Sequence, residues 1–63
     1  MLELDLFFER FIQAGKFDAL SDAELDFYNE LLQMDDGDIL QLFQGKIRLV
    51  HRGIQQIVDQ IRM

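Results

Sequence analysis

The chain has 63 residues, no cysteine, and twelve acidic against six basic residues, for a formal charge of -6. That leaves room for a single domain, residues 1–63, with a modest core, and it excludes disulfides and thiolate metal sites. The acidic balance disfavours nucleic acid, which is bound mainly by Lys and Arg against phosphate, and anionic membrane surfaces; it suits docking on a basic surface of another protein. Proline is absent, and glycines at 15, 37, 45 and 53 punctuate the chain into four expected helical segments.

The first segment runs from about Leu2 to Ala14, with Leu4, Phe7, Phe8, Phe11 and Ile12 forming one apolar stripe at three- and four-residue steps. Gly15 comes next as the left-handed stop. The second segment opens on Ser21 and Glu24, a capping box in which the hydroxyl accepts a helix N–H and the carboxylate reaches back. Leu20 and Leu25 flank it as a hydrophobic staple. The helix is expected to reach about Met34, burying Leu25, Tyr28, Leu31 and Leu32, with Phe27 at the margin. Asp35-Asp36-Gly37-Asp38 forms an acidic turn, with Asp36 expected as N-cap of a short third helix holding Ile39, Leu40, Leu42 and Phe43 and ended by Gly45. The last segment places Ile47, Val50, Ile54, Ile57 and Ile61 on a regular seam widened by Val58. Gly53 inside it costs ~1 kcal/mol relative to Ala, and a kink or a frayed first turn is expected near His51 to Gly53. The expected fold class is all-α: a small bundle of three to four short helices.

Chemistry-bearing clusters are scarce. Glu3 and Asp5 are acids favourably placed in the first turn of a helix. Asp35, Asp36 and Asp38 lack the order of an EF-hand loop and read as cap and turn. His51 is the one histidine, has no second ligand nearby in sequence, and reads as a solvated helix residue. The six phenylalanines read as core and not as a flavin-stacking box. The expectation is a protein with no metal, no cofactor and no catalytic centre. No apolar run approaches the ~18 residues of a bilayer span. The acidic N-terminus fits neither a signal peptide nor an Arg-rich transit peptide, so a reducing cytoplasm is the expected compartment.

Three stretches carry a family resemblance. Glu3-Leu4-Asp5 matches the end of an Arg-Gly-x-x-Glu motif followed by Leu-Asp, with Met1 and Leu2 in its variable places; the Arg and Gly would precede residue 1. Phe17-Asp18-Ala19-Leu20-Ser21-Asp22-Ala23-Glu24 resembles an aromatic-acidic-x-Leu-Ser-Asp-x-Glu segment. Leu31 to Ile39 resembles a Leu-Leu-x-x-Asp-Asp-Pro-Asp-Leu turn, with Gly37 at the proline position. In order and spacing, these resemble the SdhE family, also filed under the antitoxin name CptB. The match is good over about Met1 to Gly45; the final helix is similar only in pattern.

The resemblance implies a version of a five-helix bundle lacking its first helix, with part of the phenylalanine face exposed and open to self-association. It implies a chaperone-like assembly factor, not an enzyme, that promotes covalent FAD attachment to the flavoprotein subunit of succinate dehydrogenase or fumarate reductase. Glu3 and Asp5 would form the partner-binding patch. The alternative attached to the CptB name is an antitoxin that acts through protein contacts.

Overall fold

The computed structural model describes residues 2–62, so Met1 of the Arg-Gly-x-x-Glu motif lies outside the described residues. Four helices occur in order: α1 (Leu2–Gln13), α2 (Asp22–Leu32), α3 (Asp36–Phe43) and α4 (Arg52–Arg62), with no strand among the described residues. Helix α4 lies against each of the other three, and α1 also packs on α3. The all-α bundle expected from the periodicity is therefore the one that forms.

Local chemistry explains most boundaries. Ser21 has an extended backbone; its Oγ accepts from the Glu24 N–H at 3.2 Å, and Glu24 Oε1 accepts from the Ser21 N–H at 2.9 Å. Both halves of the capping box are present. Helices α1 and α3 end alike. Gly15 and Gly45 both have φ of +76°, and the N–H groups of Gly15 and Lys16, like those of Gly45 and Lys46, bond back to carbonyls of the last turn. These are Schellman caps.

The core draws on every helix. Leu4 and Phe11 come from α1, Tyr28 and Leu31 from α2, Ile39, Leu42 and Phe43 from α3, and Ile57, Val58 and Ile61 from α4. Neighbouring helix positions diverge by about 100°, so only one member of an adjacent pair faces the core fully. That corrects two expected core positions. Ile12 beside Phe11 is 53% exposed, and Leu32 beside Leu31 is 46% exposed. Leu25 is only half-buried.

Three further expectations are corrected. The N-cap of α3 is Asp35, with extended backbone and a carbonyl that accepts from the Ile39 N–H at 3.0 Å; Asp36 is the first helical residue. The α4 seam does not begin at Ile47. Residues 46–51 are irregular, Ile47 is exposed and Val50 is fully exposed, although both continue the apolar spacing. His51 is not a helix residue. It caps α4: its Nδ1 accepts from the Ile54 N–H at 3.2 Å and its carbonyl from the Gln55 N–H at 3.0 Å. Its ring meets Phe27 edge-on at 5.3 Å.

Gly53 sits where α4 crosses α2. A Cβ there would lie 2.6 Å from Cε2 and Cζ of Phe27. The glycine is explained by that close approach, not by a turn. The irregular segment before α4 is held by the buried Gln55, whose Oε1 accepts from the Leu49 N–H at 2.7 Å while its Nε2 donates to Asp59 at 3.0 Å.

Candidate functional site

Glu3 and Asp5 both lie in the first turn of α1, and both are exposed. Residues two apart on a helix point to different sides. Glu3 lies towards the C-terminal end of α3, where its Oε2 accepts from Gln44 Nε2 at 3.5 Å, a long and weak bond. Asp5 has no polar partner among the described residues and faces away from that edge. The fold thus presents both carboxylates to solvent without joining them into one cluster. Their presence in the first turn of α1 is favourable to that helix end.

One turn beyond Glu3 on the same face is Phe7. Its ring meets Phe43 of α3 at 5.0 Å with a 49° tilt. Phe43 in turn meets Phe8 edge-on at 5.4 Å, and Phe8 meets Tyr28 at 6.0 Å. Tyr28 stacks on Phe11 at 6.0 Å and takes the edge of Phe17 at 5.2 Å. Tilted and edge-to-face pairs at these distances fix ring orientation beyond simple burial. Burial pushes the Tyr28 hydroxyl above the ordinary tyrosine pKa. The aromatic series is therefore core that continues to the surface at Phe7, which is only half-buried.

Phe7 and Phe43 floor an open cleft of about 590 Å³, walled by Arg48, Asp59 and Arg62. Arg62 Nε donates to the Phe43 carbonyl at 3.0 Å, which places its guanidinium over the cap of α3. Glycine is favoured at position 45 by its φ of +76°; a Cβ there would meet only the end of the Arg62 side chain, at 2.6 Å from Nη2, which can move aside. Arg48 pairs with Asp59 at 3.6 Å, with both side chains well exposed. Such a pair is weak and exchangeable.

The sequence reading did not single out this cleft. A signal was available in the charge order. Four of the six basic residues, Lys46, Arg48, Arg52 and Arg62, lie beyond residue 45, together with one of the twelve acids, Asp59. The first two-thirds of the chain is strongly acidic and the last third is basic.

Glu24 does more than cap its own helix. Its Oε2 accepts from Gln60 Nε2 at 3.2 Å, tying the start of α2 to α4. The Ser21 backbone N–H, then Gln60, then the Ser21 hydroxyl hold the Glu24 carboxyl below its ordinary pKa. Among the described residues no group of three or more His, Asp or Glu side chains converges as a metal site.

The model of one protein family, described as the flavinator of succinate dehydrogenase (Sdh5), matches residues 1–63. Neither the curated proteins nor the solved structures yield a match. The family match runs the length of the sequence, across the first-turn acids, the capping box, the acidic turn and α4. The chain belongs to the family of succinate dehydrogenase flavinators.

Proposed function

We propose that the protein is a chaperone-like assembly factor that promotes covalent attachment of FAD to the flavoprotein subunit of succinate dehydrogenase, and to that of fumarate reductase. The observation that carries this reading is the family match over residues 1–63. The bundle docks on the immature flavoprotein, favours the conformer suited to flavinylation, and leaves. Its effect comes from binding one conformer better than another. Bond formation belongs to the flavoprotein and its FAD, so the factor is not itself an enzyme and holds no flavin of its own.

Glu3 and Asp5 are the proposed contact residues. Support comes from their exposure at the start of α1 and from the weakness of the one protein bond Glu3 makes. A basic partner surface is the complement of this acidic end. The site of action is the cytoplasm; no described helix is long and apolar enough to cross a membrane. The residues 1–63 act as one unit. The phenylalanine face expected to support self-association is largely covered, with Phe11 buried and Phe7 and Phe8 half-buried; Leu2 and Leu6, one turn apart and both exposed on α1, support it instead at high concentration. A concentration series in sedimentation velocity tests that, and a single unchanging monomer boundary would refute it.

The functional test incubates the protein with FAD and the apo-flavoprotein of succinate dehydrogenase. The readout is flavin fluorescence in the denatured flavoprotein band. The expected result is a higher rate of covalent flavin with the protein than without it. Glu3→Ala is expected to lower that rate with little change in melting temperature, because an exposed first-turn acid contributes only ~0.3–1 kcal/mol to its helix. Full activity of Glu3→Ala would remove Glu3 from the contact patch. No enhancement by the parent protein, with co-purification of a filament protein in place of the flavoprotein, would favour the antitoxin role.

A further inference from the structure

We propose that the cleft between α1, α3 and α4 is a second contact site on this protein, one that takes a carboxylate of the partner flavoprotein carried beside an apolar side chain. The inference rests on the proposed docking role and adds to it a site of opposite charge. Four observations carry it.

The first is shape. The cleft of about 590 Å³ is concave and is built from segments far apart in the chain: Phe7, Phe43, Arg48, Asp59 and Arg62. The second is charge. Two guanidinium groups share this cleft in a chain of formal charge -6. An acidic segment repelled by most of the surface is drawn to this part of it. The third is preorganisation. The bond from Arg62 Nε to the Phe43 carbonyl fixes the plane of that guanidinium, and its Nη groups make no ion pair among the described residues. A planar fork held in place loses little freedom on taking a carboxylate. The fourth is the floor. Phe7 is half-buried against Phe43, so the same opening offers an aromatic face next to the cations.

Asp59 also lines the cleft and competes for Arg48. Its pair with Arg48 is long and exposed, so an incoming carboxylate displaces it at small cost. The cleft also adjoins Glu3: Gln44, which bonds Glu3, is the residue directly after Phe43. One docking surface therefore runs from an acid at Glu3 to cations at Arg48 and Arg62. A partner must present a base and an acid at matching places, which fixes its register as charge of one sign alone would not.

Two measurements test this. In the first, the ¹⁵N-labelled protein is titrated with N-acetyl-phenylalanyl-glutamate amide, with the glutamine analogue as the uncharged control. The Arg48 and Arg62 Nε–H signals and the Phe7 signals are expected to shift with the glutamate probe, with a dissociation constant at least five-fold lower than the control. Equal responses to the two probes, or no response at these residues, would overturn the cleft. In the second, binding to the succinate dehydrogenase flavoprotein is compared for Arg48→Glu and Lys46→Glu, with a melting curve for each. Both make the same change of charge, but Lys46 is not in the cleft. Arg48→Glu is expected to weaken binding at least ten-fold and Lys46→Glu less than three-fold, with unchanged melting. Equal weakening would overturn the proposal and leave the assembly role standing. A clear probe response with no flavoprotein binding by the parent would uphold the carboxylate cleft and remove the flavoprotein as its occupant.

Discussion

Replacing Gly53 by alanine sets helix propensity against tertiary packing. By propensity alone the change gains up to ~1 kcal/mol, since glycine is the poorer helix former. At position 53 the new methyl carbon falls 2.6 Å from two ring carbons of Phe27 and 2.9 Å from a third. The ring must swing away and give up its contacts with α4 and with His51. Overpacking of this kind costs ~1–3 kcal/mol, so the expected net effect is a loss of about 1 kcal/mol. For a domain of this size that lowers the melting temperature by roughly 4–8 °C. In a Phe27→Ala background the obstacle is gone, and Gly53→Ala becomes neutral or stabilising. The coupling between the two sites should be about 2 kcal/mol, within the range for residues in contact. Thermal and urea melts of the four proteins measure it. Equal stabilisation by Gly53→Ala in both backgrounds would refute the close approach of α2 to α4 at this point.

Ser21→Ala removes the acceptor for the Glu24 N–H and should cost ~1 kcal/mol, visible as a shifted urea midpoint with unchanged slope. Phe11→Ala empties a site that is 2% exposed and should cost ~3–5 kcal/mol, enough to leave much of the chain unfolded at room temperature by circular dichroism. Acid should destabilise the fold partly through Glu24, whose folded carboxyl binds its proton less tightly than the unfolded one. The stability it adds is present above the unfolded value of roughly 4.3 and is lost as pH falls through the lower folded value. Melting temperatures of Glu24→Gln across that acid range should therefore fall less steeply than those of the parent, and parallel curves would contradict the assignment.

The features legible in the sequence are those that depend on residues within a turn or two of one another. The Ser21/Glu24 box and the glycine stops at 15 and 45 are set by bonds that span three to five positions, so their residue types announce them; the acidic turn before α3 was legible as a turn, but its cap was misplaced by one residue because no side chain makes the capping bond. The aromatic core came from spacing, apart from the choice between adjacent residues such as Phe11 and Ile12. The first-turn acids Glu3 and Asp5 were found because they sit in a motif, although their placement on different sides of α1 comes from helix geometry.

The start of α4 was not read from the sequence, although the bonds that set it are local. Ile47 and Val50 keep the helical spacing, and that apolar pattern hides the break: Gln55 reaches back to accept from the Leu49 N–H, and His51 itself caps the helix. Gly53 is explained by a ring from α2. The cleft of Phe7, Phe43, Arg48 and Arg62 joins residues up to 55 positions apart. No local pattern specifies such a set. It exists because α4 packs against the other three helices and carries the basic end of the chain onto the aromatic edge of α1 and α3.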